Sequence, residues 1–368
     1  MYKGTGISKD QLSDDGEPCI LYGELYTKYK SETIREVISK TNIDNTKLVR
    51  SKANDVIIPC SGETAEDIAT ARCVLNGNIL LGGDLNIIRL HGYDGAFMSY
   101  QLNGRRKYDI AKVAQGVSVV HLYGEHLKGV KTINPCLKEQ KKIASLLALL
   151  DERISTQNKI IDKLQSLIKG INQRVFMNSG TNYKLGEICE IRNGYSGSQH
   201  LSKKGLKVSR IETISGHKVN MERVGYVAPF ESSENYRLQV GDILFSNINS
   251  VEYIGNTAFI DKDYDLYHGM NLLRLTPNNM VVIPFYLYLL FNTNRMLNRF
   301  KTVCNKAVSQ ASINQTELGK TVVQIPDINA QKQICELYQA LYDKLESEKY
   351  ANSLFQKQKQ YLLRQLFI

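Results

Sequence analysis

The stretch from Leu137 to Phe176, LKEQKKIASLLALLDERISTQNKIIDKLQSLIKGINQRVF, decides how this chain is read. Its apolar residues Leu147, Leu150, Ile154, Ile161, Leu164, Ile168, Ile171 and Val175 recur at alternating intervals of three and four, and Gln157 takes the slot between Ile154 and Ile161. A heptad seam of this kind predicts one long helix whose apolar face needs a partner helix. The same chain holds that partner. Its last stretch, INAQKQICELYQALYDKLESEKYANSLFQKQKQYLLRQLFI from Ile328 onward, carries a similar seam at Leu341, Leu345, Phe355, Leu362 and Leu366. The two segments align without a gap: Pro135 with Pro326, Gln140 with Gln331, Lys141 with Lys332, Ile143 with Ile334, Leu164 with Phe355 and Phe176 with Phe367. Their pairing implies an antiparallel coiled coil.

The regions ahead of each helix also match, more loosely. Asn54-Asp55-Val56-Ile57 aligns with Gly241-Asp242-Ile243-Leu244, Ile68-Ala69 with Ile254-Gly255, Ala96-Phe97 with Pro284-Phe285, Tyr100 with Tyr288, and Leu127 with Leu318. Asn86 to Leu90 aligns with Asn271 to Leu275, which pairs Asn86 with Asn271 and Arg89 with Arg274 as framework residues. The chain is therefore a tandem repeat of a mixed domain followed by a helix. The expected fold class is α+β: two α/β-mixed domains in tandem, separated and held by two long helices. The expected boundaries are 1–137 for the first domain, 138–177 for the central helix, 178–326 for the second domain and 327–368 for the C-terminal helix. The first domain begins near Lys3-Gly4, which corresponds to Asn193-Gly194, so it lacks the opening strand of the second. The start of the gene product lying further upstream is one explanation of that shortfall.

Within the domains, 19–25, 55–60, 78–82, 85–90, 183–191, 207–211, 242–245, 258–260, 271–275 and 318–326 read as strands, each bounded by turn formers. Residues 117–123 read as strand or turn. Helices are expected at 33–39, 97–102 and 284–291, the last opened by Pro284.

Composition bounds the function. At 368 residues the chain exceeds one ordinary core. No apolar run reaches membrane-spanning length, and the N-terminus has no signal-peptide stretch. Seven cysteines without a CxxC pair support neither a disulfide framework nor a zinc site, and fit a cytoplasmic setting. The formal net charge is +10, with +4 on residues 138–176 alone, which permits nucleic-acid binding. Catalytic motifs fail one by one. Gly319-Lys320-Thr321 lacks the upstream glycine of a phosphate loop, since position 314 is Asn314. Asn134-Pro135-Cys136 lacks the second proline and the aromatic of an adenine methyltransferase motif. Pro326-Asp327 has no companion Glu-x-Lys for a nuclease site, and the six histidines show no metal-ligand spacing. The chain reads as non-catalytic, with no metal and no cofactor of its own.

The order domain, helix, domain, helix, together with NPCLKEQKKIASLLALLDERI, IPDINAQKQICELYQAL, KLGEI at 184–188 and VGDIL at 240–244, resembles the specificity subunits of type I restriction–modification systems. The resemblance covers nearly the whole chain. It implies that each mixed domain is a target recognition domain reading one half of a split, asymmetric duplex DNA site. It also implies that the helices act as a spacer and dock two methyltransferase subunits, which bind S-adenosylmethionine and methylate adenine. ATP-dependent motor-nuclease subunits can join such complexes. A helix of this length is roughly 60 Å long, more than one duplex turn of about 34–36 Å. The competing reading is a coiled-coil scaffold whose two repeat domains bind protein partners.

Base reading needs donors and acceptors on loops, with basic groups for phosphates. In the second domain the candidates are Tyr195, Ser196, Ser198, Gln199, His200, Lys203 and Lys204, then Asn247 and Asn249, then Lys306, Ser309, Gln310, Ser312 and Asn314. In the first they are Lys3, Lys9, Ser61, Arg105, Arg106, Lys107, Ser118 and His121.

Overall fold

The computed structural model describes all residues except 45, 117–118, 177–179, 199–203, 307–309 and 368, and the side chain of Lys306. The chain packs as two units, Met1–Ile161 with Ser347–Ile368, and Asp162–Glu346. Each unit therefore holds part of both long helices, Leu137–Val175 and Ile328–Gln365.

The first unit is built on a five-stranded sheet in the order Tyr2–Lys3, Leu85–Ile88, Asp55–Pro59, Arg72–Val74, Thr33–Ile34. Neighbours are antiparallel except the last pair, which is parallel. A second sheet joins Leu12–Ser13, Ser39–Thr41, Glu17–Ile20 and Leu80–Leu81. The helix Gly95–Asn103 covers the first sheet; Asp94 caps it by accepting from Phe97 N at 2.8 Å. The core beneath the helix is built from Val56, Ile58, Ile68, Met98 and Leu102, and a separate cluster of Ile20, Leu25, Ile57, Leu81 and Ile87 fills the opposite face of the sheet.

In the second unit a four-stranded antiparallel sheet runs Cys189–Asn193, Leu272–Pro277, Ile243–Ser246, Thr257–Phe259. The helix Pro284–Phe291 packs on it. Phe245, Phe291 and Phe300 meet edge to face, with ring centroids 4.9 Å apart for Phe245 and Phe300. An opening strand, Thr181–Lys184, pairs with Val322–Ile325. Among the described residues the first unit has no counterpart of that strand.

The two ladders show how the repeat is registered. Val56 pairs with Ile88, and Ile243 pairs with Leu275. Since Val56 and Ile243 correspond, so do Ile88 and Leu275. That moves the alignment of this strand by two residues: Arg89 corresponds to Thr276 rather than Arg274, and Asn86 to Leu273 rather than Asn271. The chemistry agrees. Arg89 Nη2 binds Asp55 Oδ2 at 2.8 Å, and Thr276 Oγ1 binds Asp242 Oδ1 at 2.6 Å. The left-handed residues agree too, with Asp84 at φ 57 and Asn271 at φ 64. A shift of two keeps every side chain on the same face, so sequence patterning could not detect it.

Other expectations change locally. Residues 33–39 form no helix. The β-branched pair Thr33–Ile34 makes an edge strand beside Cys73 and Val74, and a further strand begins at Ser39. The strand expected at 19–25 stops at Ile20, because Glu24 turns the chain by accepting from Leu21 N at 3.0 Å and opens a short helix. The run 183–191 is broken by one helical turn, Leu185–Ile188, where Glu187 caps Lys184 N at 2.8 Å. Leu318 and Gly319 lie in the helix Gln315–Gly319, ahead of the strand Val322–Ile325. The strand expected at 207–211 ends at Val208.

Each long helix is locked to its own domain by the glutamine of the repeated motif. Gln140, 1% exposed, accepts from Asp94 N at 2.9 Å and donates to Pro135 O at 2.7 Å. Gln331, fully buried, accepts from Ile283 N at 2.8 Å and donates to Pro326 O at 2.8 Å and Val281 O at 3.1 Å. In both cases one amide joins the N–H of the residue capping the domain's helix, Asp94 or Ile283, to the proline carbonyl just ahead of the long helix, Pro135 or Pro326.

The seam residues face inward. In the first unit Leu147 and Leu150 are buried and Ile154, Ile161, Phe355, Leu362 and Leu366 half-buried. Leu147 and Ala144 pack with Phe97, Tyr100 and Phe367, the Phe97 and Phe367 rings 5.2 Å apart. In the second unit Ile168 and Leu345 are buried and Leu164, Ile171, Val175 and Leu341 half-buried. There Tyr338 is fully buried, donates to Asn172 Oδ1, and packs on Phe176. The helices run antiparallel within the first unit: Leu147 meets the Phe367 end, while Gln157 donates to the Glu348 carbonyl at 3.2 Å and to its carboxylate. The register question at Gln157 thus has its partner in Glu348.

Candidate nucleic-acid interface

Strand directions bring the loops of each unit together. In the second unit Asn193 pairs with Leu273, Ser246 with Leu272, and Phe245 with Thr257. The chain after Asn193, after Ser246, and before Leu272 and Thr257 therefore emerges at one end of the sheet. A three-stranded ribbon extends that end: Ile248 pairs with Ser312, Asn249 with Ala311, and Asn305 with Ser312. Gln315 ties it to the sheet, accepting from Asn193 Nδ2 at 3.1 Å and donating to Ile191 O at 2.6 Å.

The base of these loops is built the same way in both units. A Cβ on Gly194 would lie 1.9 Å from Gly269 O, and a Cβ on Gly4 would lie 1.9 Å from Gly82 O. Two backbones cross here at a distance only glycine permits. In the second unit His268 reinforces the crossing. Its carbonyl accepts from Tyr195 N at 2.9 Å, and its Nε2 lies 2.9 Å from Leu272 O. Burial pushes its imidazole down to about 4, so it stays neutral and donates through Nε2.

The candidates fall into distinct places. Ser196 and Ser198 line a cavity of about 420 Å³ together with Arg210, Glu212, Met270 and Asn271. Lys204 is exposed. Tyr195 does not offer a free ring face: it stacks on Phe230 at 4.0 Å and meets Tyr236 edge-on. Asn247 is 8% exposed, and its Oδ1 is buried without a hydrogen bond. Asn249 binds Ser246 Oγ at 3.0 Å and its own next backbone N–H at 2.8 Å. Gln310 is exposed and Ser312 half-buried in the ribbon. Asn314 is committed to structure, capping the helix Gln315–Gly319 through Glu317 N at 2.8 Å. Gln199, His200, Lys203 and Ser309 lie outside the described residues, as does the side chain of Lys306.

In the first unit Lys3 pairs with Asn86, Leu85 with Pro59, and Ile57 with Arg72, so its loops also leave from one end. Ser61 and His121 are direct cross-strand partners, and Lys3 Nζ lies 5.9 Å from the Tyr123 ring centre. These three candidates thus converge, although 58 residues of sequence separate the first two and 60 the next. Arg105 is exposed. Arg106 reaches Asp109 at 3.5 Å, and Lys107 opens a helix whose Ile110 packs with Ile68 of the 60–71 connection. Lys9 is exposed in a separate turn, Lys9–Gln11, leading to the second sheet. Ser118 lies outside the described residues.

Sequence reasoning missed Arg210 and Asn271. Arg210 was hidden in an expected strand; it follows the strand's true end at Val208, is exposed, and keeps its Nε 3.4 Å from Glu212. Asn271 was assigned a framework role by the two-residue misalignment, but it sits at the cavity in a left-handed turn. Among the described residues no group of three or more His, Cys, Asp or Glu could hold a metal ion, and no helix is long and apolar enough to cross a membrane.

Residues 179–353 match the type I restriction modification DNA specificity domain. A protein of Methanocaldococcus jannaschii assigned as the type I restriction enzyme MjaX specificity subunit is 43% identical over 158 residues, 42% of this chain; the match spans 37% of that protein's length. The type I restriction enzyme EcoKI specificity subunit of Escherichia coli K12 is 24% identical over 378 aligned positions, covering 93% of this chain and 80% of that protein. Among solved structures, the type I restriction–modification S subunit from M. genitalium superposes with a TM-score of 0.62 at 18% identity, covering 100% of this chain and 93% of that one.

Proposed function

This chain belongs to the specificity subunits of type I restriction–modification systems, and we propose on that premise that it reads a bipartite, asymmetric duplex DNA site. It acts without chemistry of its own, as the adaptor that directs methyltransferase subunits, and where present restriction subunits, to that site. The first unit reads one half-site and the second the other. The observation that carries this reading is the convergence of variable loops at one end of each sheet, above a shared framework of crossing glycines. The framework repeats while the loop side chains differ: Lys3, Ser61 and His121 in one unit, Ser196, Ser198, Arg210 and Asn271 in the other. A reader of two unlike half-sites needs that division, because hydrogen-bond donors and acceptors on base edges set sequence while the scaffold sets register.

S-adenosylmethionine binds to the methyltransferase partners rather than to this chain, and the complex works in the cytoplasm. The outward faces of the long helices suit docking of those partners. Leu146 and its repeat counterpart Leu337 are 50% and 43% exposed, and Leu149 is 61% exposed, an apolar surface that a protein partner covers.

The test is methylome sequencing of cells carrying this chain with its methyltransferase partners. One split methylated motif is expected, lost on deletion of the gene. Arg210→Ala and Asn271→Ala should relax one half of the motif and leave the other intact. Loss of both halves together, or a motif that is not split, would refute the assignment of one half to each unit.

A further inference from the structure

We infer that a buried ion triad, Lys359 with Asp151 and Glu32, restricts the helix face of the first unit to the C-terminal helix of its own chain and excludes a second copy of the central helix. The triad sits where the domain meets both helices of that unit. Lys359 Nζ lies 2.5 Å from Glu32 Oε2 and 2.6 Å from Asp151 Oδ1. The second oxygen of Asp151 accepts from Tyr100 OH at 2.7 Å and from Ser31 Oγ at 2.9 Å. The three charged side chains are only 14%, 10% and 9% exposed. The ammonium also lies 5.9 Å from the Tyr100 ring centre.

The repeat makes this arrangement informative. Two near-equivalent helices in one chain create a pairing ambiguity, because either can in principle supply the partner seam. By the gapless alignment, Lys359 corresponds to Ile168, Asp151 to Tyr342, and the framework Tyr100 to Tyr288. In the second unit those places hold no ion pair. Ile168, Tyr342 and Tyr288 instead line an open cavity of about 670 Å³ with Phe259 and Phe285. The triad is thus confined to the contact between the N-terminal half of the central helix and the C-terminal half of the last helix.

If the central helix of a second copy took the C-terminal helix's place, its Ile168 would occupy the position of Lys359. Glu32 and Asp151 would then face each other, buried, with no ammonium between them and only the buried Arg72 guanidinium, whose hydrogen bonds go to the backbone carbonyls of Leu25, Tyr29 and Ala71, to set against two carboxylates. Breaking a buried ion pair by removing one member is strongly unfavourable, because a charge is left without compensation. Two other polar contacts cross this seam. Asn352 donates to Asn158 Oδ1 at 2.9 Å; Ile161 would replace Asn352 in the alternative, but the contact is exposed, so water takes over the lost bond at little cost. The second does not discriminate. Gln157 meets Glu348 in the native pairing and would meet a second Gln157 in the alternative, and two amides pair well. The choice of partner therefore rests on the lysine, as a single polar seam residue sets partner choice in coiled coils.

The test moves the lysine. In the variant Lys359→Ile with Ile168→Lys, a second copy brings an ammonium to Glu32 and Asp151 and the chain's own helix does not. Sedimentation equilibrium should show a dimer at micromolar concentration where the wild-type chain stays a monomer. The association constant should rise on the order of a hundred- to a thousandfold. A folded variant that remains monomeric would overturn the inference, as would a wild-type chain that dimerises through these helices. Refolding from urea supplies the second measurement should the double variant fail to fold. Wild type and Lys359→Arg should return monomer at all concentrations, and Lys359→Ile should yield dimer increasing with concentration. Equal monomer recovery for Lys359→Ile and wild type would also overturn it.

Discussion

Replacing Lys359 by methionine isolates the electrostatic part of the triad. Methionine keeps an unbranched stem of similar length, so packing against Tyr100 is largely retained and the ammonium is lost. In the native chain, burial works against the Lys359 ammonium, but Glu32 and Asp151 outweigh it and hold its pKa above the ordinary lysine value. Burial pushes the Glu32 carboxyl above the usual carboxylate range, with Lys359 pulling the other way. The groups are too buried for solvent to screen them, so removing the cation should cost about 3–5 kcal/mol at neutral pH. In a domain of this size that lowers the melting temperature of the first unit by roughly 10 °C. The pH dependence gives the sign. Without Lys359, the folded pKa of Glu32 lies further above the ordinary carboxyl value of 4.5. A carboxyl whose folded pKa is raised contributes stability that is fully present below its unfolded pKa and lost as pH rises through the folded one. The deficit of the variant relative to wild type should therefore shrink as pH falls from 7 toward 4.5. It should shrink again as pH rises above 10.5, the ordinary lysine value, toward the higher pH at which native Lys359 loses its proton. Urea unfolding followed by circular dichroism, at several pH values, measures both arms. A melting shift below about 2 °C at neutral pH, or a deficit constant with pH, would refute the reasoning.

Gln331→Ala removes three hydrogen bonds from a buried amide to half-buried backbone groups and should destabilise the second unit by about 3 kcal/mol in urea unfolding. Gly194→Ala places a Cβ 1.9 Å from Gly269 O; it should cost about 3 kcal/mol and abolish methylation at the half-site read by the second unit in the same methylome assay. His268, with its imidazole pushed down to about 4 by burial, contributes stability present above the unfolded histidine value of 6.5 and lost as pH falls through about 4. Acid melting curves of His268→Leu should show a smaller acid-induced drop than wild type in that window. A thiol reagent should label Cys136, the one exposed cysteine, at once. Cys73 and Cys189, whose thiols burial pushes up to about 12, should react only on unfolding.

The long helices, their antiparallel pairing and the tandem repeat were legible because heptad spacing and a gapless repeat are local properties of the chain. Pro284–Phe291 was read to the residue, since its proline sets the start. Short elements fared worse. Within 33–39, Thr33–Ile34 became strand because a neighbouring strand offers its backbone partners, a tertiary fact that outweighs local propensity. The same limit governs the candidate interface. Lys3, Ser61 and His121 could each be named from residue type, but only the ladder pairing Ser61 with His121 places them together. Asn314 has the right chemistry for reading a base, yet its oxygen is taken by a helix cap.

By itself, then, the sequence determined the architecture and the kind of protein, through patterns that recur along one dimension. Only the tertiary structure decided which residues stand at the loop ends, that Arg89 answers Thr276, and that Lys359 meets Glu32 across 327 residues of chain. Those outcomes depend on strand register and on the partner each buried charge finds, and neither is written in the spacing of residue types.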